Sequence, residues 1–345
     1  MNGNLAAEVL NGDRLALARL LTQVENETAQ SLEALNELYP HTGQAYLLGV
    51  TGAGGTGKST LVNRLVQSIR QGNGDSTEPH LPRVAVIAVD PSSPFSGGAL
   101  LGDRLRMRDL AGDSGVFIRS LATRGARGGL ARAAASMAQI FDAAGYEMIV
   151  IETVGAGQTE VDIAGLAHSV VVVEAPGMGD DIQANKAGLM EIADILVVNK
   201  GDRPGADQTE RTLRAMIEIS TSQITAADRL HHAGESSKGE LQPTNHWQTP
   251  IIRTTATIVG GADELLEAVK QHRKYLEKTG EHLLRDRKRL KQVLDESLQQ
   301  AVFSRWQAAF GGQAYQTILE AVWDRRLSPQ SAVHKLLGKQ PADSP

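Results

Sequence analysis

Short apolar runs recur through the middle of the chain and alternate with longer segments of helical periodicity. The runs are rich in β-branched residues and carry few polar positions. Continuous apolar runs of this kind are typical of parallel strands that are buried on both faces of a sheet. The pattern predicts a doubly wound, mostly parallel α/β domain with strands at Tyr46–Val50, Val84–Val89, Val116–Arg119, Met148–Glu152, Val170–Val173, Ile195–Val198 and Ile251–Arg253.

Both flanks of this region have the periodicity of amphipathic helices. We therefore predict an N-terminal helical extension (1–43), which ends near Pro40 and Gly43, an α/β domain (44–275) and a C-terminal helical arm (276–345). The polar segments 71–82 and 220–249 are interpreted as surface insertions. The arm needs an apolar surface to cover, so we expect it to form a homodimer through Leu290, Val293, Leu294, Leu298, Val302, Trp306, Ile318, Val322 and Trp323.

The strongest chemical signal follows the first predicted strand. Residues 47–61 read LLGVTGAGGTGKSTL, so an apolar strand leads into G-x-x-x-x-G-K-S and then into helix-forming residues. Glycines let the backbone aim N–H groups at an anion, Lys58 can reach the β- and γ-phosphates, and Ser59 can ligate Mg²⁺. A plain connecting turn would not require this combination. The motif predicts a nucleoside-triphosphate site at Gly52, Gly54, Gly55, Thr56, Gly57, Lys58, Ser59 and Thr60.

The run VVNKGD at 197–202 predicts which base is bound. Asp202 can accept hydrogen bonds from N1–H and from the exocyclic amine of guanine, and adenine lacks that pattern. Asn199 can address the other base edge, and the Lys200 stem can lie across the ring. An ordinary strand exit has similar residues, but its position after a phosphate motif favours guanine. The remaining predicted nucleotide contacts are Gly155, Thr255 and Ala256.

Three carboxylates are candidates for binding the metal ion of the nucleotide. Asp90 ends the run VAVIAVD, Asp103 ends the Gly/Ser/Pro-rich loop that follows, and Glu152 ends the run IVIE. Carboxylates at the carboxyl ends of parallel strands lie where Mg²⁺ draws its ligands. Taken alone, Asp90 could form a turn and Asp103 could cap a helix. In this arrangement we favour a Mg²⁺ site formed by Ser59, Asp90, Asp103 and Glu152.

Composition excludes several classes of protein. The 345 residues carry a net charge of -5, which gives no argument for nucleic acid or an anionic membrane as a partner. No apolar run approaches the roughly 20 residues of a membrane span, and the N-terminal segment lacks the features of a signal peptide. The absence of cysteine excludes disulfides and thiolate metal sites. We expect a cytoplasmic protein that binds neither nucleic acid nor membrane.

Several of these segments together resemble the MeaB/ArgK-type GTPases, chaperones of adenosylcobalamin-dependent methylmalonyl-CoA mutase. The likeness runs from about residue 13 to 335 and is carried by GVTGAGGTGKSTL, AVDPSS, GGALLGDRLRM, FIRSLATRGARGGLARA, ETVGAGQTE, PGMGDDIQANKAGLMEIADILVVNKGD and HRKYLEKTG. Gly54 stands where the family usually has proline, and Gly201 where it commonly has alanine. The resemblance implies a P-loop GTPase fold with GTP or GDP and Mg²⁺ bound. It also implies an adenosylcobalamin-dependent acyl-CoA mutase as partner, whose cofactor loading and protection the protein serves.

The same resemblance implies roles for individual residues. It assigns Lys58 and Ser59 to phosphate and Mg²⁺, and it assigns Asn199 and Asp202 to guanine. The metal and switch carboxylates would be Asp90, Asp103 and Glu152. The segment 179–186, with Asp180, Gln183 and Lys186, would be an additional switch loop that communicates with the mutase.

One absence bears on the rate of hydrolysis. Ras-like GTPases place a water-orienting glutamine directly after the switch glycine, but here Gly155 is followed by Ala156, and a glutamine comes only at Gln158. We therefore expect slow intrinsic turnover that depends on phosphate positioning and on Mg²⁺ until a partner completes the site. The predicted catalytic residues are Lys58, Glu152, Gln158 and Lys186. For Arg124 or Arg127, a solvated turn is at least as good an interpretation as catalysis.

Two other functions remain open at this point. A GTP-dependent metal insertase of the hydrogenase or urease maturation kind has a related nucleotide domain, but the only adjacent histidines are His231 and His232 and the chain has no cysteine. Two imidazoles fall short of the ligands that a stable zinc site uses. A small-molecule kinase is the other alternative, although no acceptor pocket can be recognised from the sequence.

Overall fold

The computed structural model of the protein describes residues 4–72, 81–90, 107–110, 112–122, 129–153, 161, 164–177, 188, 191–232, 246–256 and 261–338. Within these residues, seven parallel strands form one sheet in the order β3-β2-β4-β1-β5-β6-β7. The strands are β1 (Tyr46–Thr51), β2 (Val84–Asp90), β3 (Val116–Ala122), β4 (Met148–Thr153), β5 (Ser169–Glu174), β6 (Ile195–Val198) and β7 (Ile251–Arg253). The α/β class and all the predicted strands are confirmed.

Helices precede the sheet, alternate with its strands and follow it. In the described part of the chain they are α1 (Leu5–Leu10), α2 (Arg14–Glu25), α3 (Ala29–Leu38), α4 (Lys58–Gln71), α5 (Gly129–Ala143), α6 (Ala206–His232), α7 (Ala262–Thr279), α8 (Glu281–Trp323) and α9 (Pro329–Leu337). The interpretation of 220–249 as a polar insertion was wrong for residues 220–232, which continue α6. No glycine or proline interrupts this stretch before Gly234, so nothing local ends the helix earlier.

The N-terminal helices pack on the β3 side of the sheet. Asn4, Asp13 and Thr28 accept hydrogen bonds from amides in the first turns of α1, α2 and α3, which satisfies donors that helix starts leave unpaired. Both α2 and α3 contact α5. The Arg14 guanidinium donates to the carbonyl of Val116 at 2.8 Å, so α2 also covers backbone groups of the edge strand β3.

Two apolar layers hold helices on opposite faces of the sheet. On one face, buried side chains of α4 and α7, among them Leu61, Leu65 and Leu265, pack against β1 and its neighbours. On the other face, Leu213 of α6 packs against residues of β5 and β6. Strand β1 lies in the centre of the order, and its six residues are all buried. The packing on both faces therefore holds the ends of the central strands in place.

A buried polar cluster occupies the edge of the sheet where β1, β5 and β6 begin. The Tyr46 hydroxyl bonds to the Ser169 hydroxyl, and the latter bonds to Nδ1 of His272 in α7. Nε2 of His272 lies 3.3 Å from Oδ1 of Asp194, the residue before β6. Arg285 of α8 donates to both oxygens of that carboxylate at 2.8 and 2.9 Å. We call Tyr46, Ser169, Asp194, His272 and Arg285 the amino-edge network.

Burial keeps two members of this network uncharged at neutral pH. Burial raises the pKa of Tyr46 to about 12, so its hydroxyl remains a donor. Burial also lowers the pKa of His272, so its ring is neutral at neutral pH. Nδ1 of His272 shares a hydrogen bond with the Ser169 hydroxyl, whereas Nε2 faces Asp194 at 3.3 Å without a hydrogen bond. Hydrogen bonds therefore join Tyr46, Ser169 and His272, and Arg285 binds the Asp194 carboxylate.

Neighbouring groups complete the same edge. The amide of Val170 donates to Asp194 at 2.8 Å, and the Trp247 indole donates to the Asp194 carbonyl at 2.7 Å. The amide of Leu47 donates to Nδ1 of His168 at 3.0 Å, so Nε2 of that ring carries the hydrogen that faces Asp286 at 2.9 Å. These contacts attach α7 and the first turns of α8 to the starts of the central strands.

The chain divides into two compact units, residues 1–289 and 290–345, and α8 contributes residues to both. In the second unit, the indole of Trp306 lies near the rings of Phe303 and Tyr315 and donates to the carbonyl of Leu336 in α9 at 3.3 Å. Leu290, Leu294, Leu298 and Val302 follow one another at intervals of four along α8, and all are exposed.

Candidate nucleotide-binding site

The phosphate motif lies between β1 and α4, at the edge of the sheet where the strands end. Gly52 has a φ of +136°, and a Cβ there would lie 2.1 Å from the carbonyl oxygen of Val173 in β5. Gly57, the N-cap of α4, has a φ of +93°, and a Cβ there would lie 2.5 Å from Nδ2 of Asn199. Only glycine fits either place, because backbone conformation and space both exclude a side chain. The backbone of β5 and the side chain of Asn199, the residue after β6, therefore lie directly against the loop.

Lys58 is the first residue of α4 and lies folded over the loop. Its Nζ donates to the carbonyl oxygens of Gly52 at 2.6 Å and Ala53 at 2.9 Å, and the side chain is buried. The N-cap glycine makes no side-chain hydrogen bond to the first amides of α4, and amides at a helix start are typical donors to an anion. A buried ammonium group and the positive end of a helix dipole thus meet at one point, which is the chemistry of a phosphate site.

Ser59 and Glu152 meet beside this loop. The serine hydroxyl donates to Oε1 of Glu152 at 2.6 Å, and both side chains are buried. The register places Glu152 opposite Val50 of β1 and Ala88 of β2, close to the end of each strand. Asp90 is the last residue of β2 and therefore belongs to the same edge of the sheet. Hydroxyl and carboxylate oxygens are the donors that Mg²⁺ prefers, so the set fits that ion.

Asn199 joins three segments of the site. Its Nδ2 donates to the carbonyl of Thr56 at 2.7 Å, and its Oδ1 accepts from the Thr254 hydroxyl at 3.0 Å and the Ala256 amide at 3.2 Å. Asn199 and Thr254 are buried. The phosphate loop, the end of β6 and the loop after β7 are consequently fixed to one another. The prediction that Asn199 also addresses the base edge stays a prediction.

The other predicted base contacts lie in these loops. Lys200 has a φ of +56°, and its Nζ donates to the carbonyl of Gly55 at 2.6 Å. Asp202 is exposed in the turn that follows β6, and Thr255 is half-buried in the loop after β7. Gly54 and Thr60 belong to the same phosphate loop and helix start. The structure therefore brings the phosphate motif and the guanine motif together at one edge of the sheet.

Several predicted residues lie outside the described residues. They are Gly155, Gln158, Lys186, Asp103, the switch segment 179–186 and the arginines Arg124 and Arg127. In the described residues, no group of three or more histidine, aspartate or glutamate side chains could hold a metal ion by itself. Within those same residues, no helix has the length and apolar character needed to cross a membrane.

Two residues that support the site were not predicted from the sequence. Thr254 binds Asn199 directly, and Arg64 of α4 donates to the carbonyl of Ala256 at 3.3 Å. A signal for Thr254 was present, because it directly follows a predicted strand whose end lies at the same edge as the phosphate loop. Arg64 had no comparable signal, because it is one polar residue among several on an amphipathic helix.

Comparisons with known proteins agree with this geometry. The family described as "Methylmalonyl Co-A mutase-associated GTPase MeaB" matches residues 17–310. A protein of Pyrococcus abyssi that is named as a GTPase is 40% identical over 98% of this chain and 96% of its own length. The fused isobutyryl-CoA mutase of Cupriavidus metallidurans is 36% identical over 62% of this chain, which corresponds to 19% of that protein. The crystal structure of an LAO/AO transport system kinase superposes with a TM-score of 0.62 and 25% identity, over 97% of this chain and 95% of the other.

Proposed function

Because this chain belongs to the MeaB family of methylmalonyl-CoA mutase-associated GTPases, and is therefore a GTPase, we propose that it uses GTP hydrolysis to serve an adenosylcobalamin-dependent acyl-CoA mutase. Its role would be to gate loading of the cofactor and to protect the loaded mutase. The observation that carries the proposal is the joining of the phosphate and guanine motifs through Asn199, in a chain whose sequence is similar to part of a fused isobutyryl-CoA mutase.

Each part of the site has a task in this proposal. Lys58 and the first amides of α4 bind the phosphates, and Asp202 distinguishes guanine from adenine. Ser59, Asp90, Asp103 and Glu152 would hold Mg²⁺, which neutralises charge on the phosphates when it is bound. Gln158 and Lys186 would position water or the leaving phosphate only after the partner has docked. Hydrolysis without the partner should therefore be slow.

Base selection is the most direct test of the guanine assignment. The wild-type protein should bind GDP orders of magnitude more tightly than ADP. Asp202→Asn should shift preference toward xanthosine diphosphate, because an amide can donate to the oxygen that replaces the exocyclic amine of guanine. Isothermal titration with GDP, XDP and ADP measures this. An Asp202→Asn protein that keeps the wild-type order of affinities would place guanine recognition elsewhere.

Stimulation by the partner tests the proposed role. Purified adenosylcobalamin-dependent acyl-CoA mutase should accelerate GTP hydrolysis by about a hundredfold, which corresponds to about 2.7 kcal/mol of barrier. Replacing Asp180, Gln183 and Lys186 together by alanine should preserve basal hydrolysis and remove most of the acceleration. Equal stimulation of the triple variant would exclude this segment as the coupling loop. Transfer of labelled phosphate to a small molecule, instead of its release, would favour the kinase alternative.

We also propose that the C-terminal arm forms a homodimer. Leu290, Leu294, Leu298 and Val302 present an exposed apolar stripe on α8, with exposed fractions of 45%, 66%, 59% and 57%. Such a stripe is typical of a helix that covers a second apolar surface. Light scattering should give a dimer for wild type and a monomer for Leu294→Glu/Leu298→Glu. The control Gln299→Glu adds charge on another face of the helix and should remain dimeric. A monomeric wild-type protein at micromolar concentration would contradict this proposal.

A further inference from the structure

The turn after β6 lies beside the end of the neighbouring strand, β7. This turn comprises residues 199–205, which we call the base loop, and it carries Asp202. The register of β6 and β7 places Val198 opposite Arg253, the last residue of β7. The amide of Gly201 also donates to the carbonyl of Thr254 at 2.9 Å. The end of β7 therefore lies directly beside the base loop.

Gly201 provides the space that the Arg253 side chain occupies. A Cβ added at Gly201 would lie 2.4 Å from Cγ and 2.8 Å from Cδ of Arg253. Real Cβ atoms do not approach other carbons so closely, so any side chain at this position would displace the arginine stem. The aliphatic part of Arg253 thus lies against the backbone of the base loop at the residue directly before Asp202.

The guanidinium of Arg253 reaches across to α6, the helix that follows the base loop. Nη2 donates to Oδ1 of Asp207 at 2.6 Å and to Oε2 of Glu210 at 2.8 Å. These hydrogen bonds raise the pKa of Arg253 and lower the pKa of Glu210. One side chain therefore connects β7 to the first turns of α6, and the base loop lies between those two elements.

The base loop has a conformation that needs such support. Lys200 lies in the left-handed region with a φ of +56°, which is uncommon for a residue other than glycine or asparagine. The structure fixes the loop on the phosphate side through the hydrogen bond from Lys200 to Gly55 and through Asn199. On the opposite side, Arg253 packs on Gly201 and also binds residues of α6.

We propose that Arg253 is a positioning residue for guanine recognition, which it serves by holding the base loop so that the Asp202 carboxylate faces the base. The proposal rests on the proposed function of Asp202. Ion pairs between exposed groups contribute little to stability, and the side chains of Arg253 and Asp207 are 41% and 71% exposed. Loss of Arg253 should therefore change base selectivity and leave thermal stability close to that of wild type.

Guanine and hypoxanthine separate this role from general loss of affinity. Both bases present N1–H, but only guanine has the exocyclic amine that a carboxylate at Asp202 would also accept. A displaced Asp202 loses the second contact most easily, because two hydrogen bonds to one carboxylate demand the more restrictive geometry. The ratio of IDP to GDP dissociation constants thus reports the position of Asp202, whereas contacts to the phosphates cancel in that ratio.

The experiment compares three substitutions by isothermal titration with GDP, IDP and ADP. Arg253→Ala and Gly201→Ala should each weaken GDP binding by about tenfold and IDP binding by less than about threefold, in the lower range of coupling between neighbouring groups. Arg214→Ala is the matched control. Arg214 pairs with the same Glu210 at 3.0 Å from within α6, so its loss should change the ratio by less than about twofold. Thermal unfolding checks the fold of each variant.

A second arginine variant keeps the test decisive if Arg253→Ala folds poorly. Arg253→Lys retains an aliphatic stem over Gly201 but cannot bind Asp207 and Glu210 with one planar group, so it should give a ratio between those of wild type and Gly201→Ala. A wild-type IDP to GDP ratio in the variants of Arg253 and Gly201 would overturn the inference while the guanine assignment stands. A wild-type protein that does not prefer GDP to ADP would overturn the proposed function and this inference together.

Discussion

At the carboxyl edge of the sheet, where the strands end, much of the binding surface is backbone. Glycines let β5 and Asn199 approach the phosphate loop, and Lys58 bonds to loop carbonyls. At the amino edge, where the same strands begin, side chains make the contacts, and a network of five residues attaches α7 and α8 to three strands. The two edges belong to the same sheet, but backbone groups make many of the contacts at one edge and side chains make them at the other.

Because of this difference, the two edges should control different properties, which are nucleotide binding and the free energy of unfolding. A loop of backbone donors can bind and release an anion without losing its own packing, because the strands behind it hold its shape. The polar groups of a buried side-chain network bind one another, and each member that is lost leaves a partner unsatisfied. We therefore expect substitutions at the carboxyl edge to change nucleotide binding, and substitutions at the amino edge to change the free energy of unfolding.

The largest effect is expected at Asp194, where the network converges. Asp194→Asn should lower the free energy of unfolding by about 3 kcal/mol, because it removes the more buried of the two carboxylates, Asp194 and Glu281, that pair with the Arg285 guanidinium. Burial opposes the charged form of Arg285, but the hydrogen bonds to Asp194 and Glu281 and the charges of these carboxylates raise its pKa. Urea denaturation followed by circular dichroism measures the change.

A matched substitution shows whether burial causes this effect. Asp295→Asn removes the partner of Lys291 in an exposed pair on α8, and it should change the free energy of unfolding by less than about 0.5 kcal/mol. Asp194→Asn should also keep the preference for GDP over ADP. A normal free energy of unfolding combined with lost guanine preference would reverse the assignment of the two edges.

The second prediction concerns Lys58 at the opposite edge. Lys58→Ala should weaken GDP binding by roughly ten- to a hundredfold, since charge-assisted contacts to phosphate are lost. The free energy of unfolding should change far less than in Asp194→Asn, because Lys58 bonds to loop carbonyls that can turn to water. Calorimetry with GDP measures the affinity. Binding within about threefold of wild type would contradict the phosphate assignment.

The two edges also differ in how well they could be predicted from the sequence. The carboxyl edge was predictable because its residues are consecutive: residues 52–59 form one loop and helix start, and 199–202 form one turn. Their spacing carries the chemistry, so a short motif is sufficient. The close approach of Arg253 to Gly201 was not predictable, because it depends on the register between β6 and β7.

The amino edge was not predictable from local patterns. Tyr46, Ser169, Asp194, His272 and Arg285 are separated by long stretches of sequence, and each looks ordinary where it stands. A histidine within an amphipathic helix and an aspartate before an apolar run have no distinctive spacing. Only the order of strands in the sheet brings these residues together, so their contacts follow from tertiary structure and not from motif chemistry.

The third prediction separates the two ends of one strand. Glu152→Gln, at the end of β4, should lower kcat for GTP hydrolysis by about tenfold and change GDP affinity much less, because a charge near the metal acts mainly in the transition state. Glu147→Gln alters an exposed residue that directly precedes the same strand, and it should leave both quantities unchanged. Steady-state phosphate release across a Mg²⁺ titration measures kcat. Wild-type turnover in Glu152→Gln would make this carboxylate structural.

The smallest effect is expected from the pH dependence of the amino edge. Burial lowers the pKa of His272, while the charge of Asp194 opposes this shift and the charge of Arg285 adds to it. In the unfolded chain a histidine takes up its proton near pH 6.5, whereas the folded site resists protonation. The free energy of unfolding should therefore fall as the pH drops below about 6.5, because the unfolded state then binds more protons.

His272→Asn isolates this contribution. The amide group of asparagine can form a hydrogen bond with Ser169 in place of Nδ1 as either donor or acceptor, and it does not titrate. Between pH 7.5 and 5.5, wild type should lose more unfolding free energy than the variant, by at most about 1.4 kcal/mol, which is the linkage for one pH unit below 6.5. The exposed His41 provides the control, since His41→Asn should lose as much as wild type. His272 contacts Ser169 and faces Asp194, Arg285 and Glu281. If His272→Asn loses as much unfolding free energy as wild type between pH 7.5 and 5.5, then these neighbours, and not the imidazole, titrate in this range.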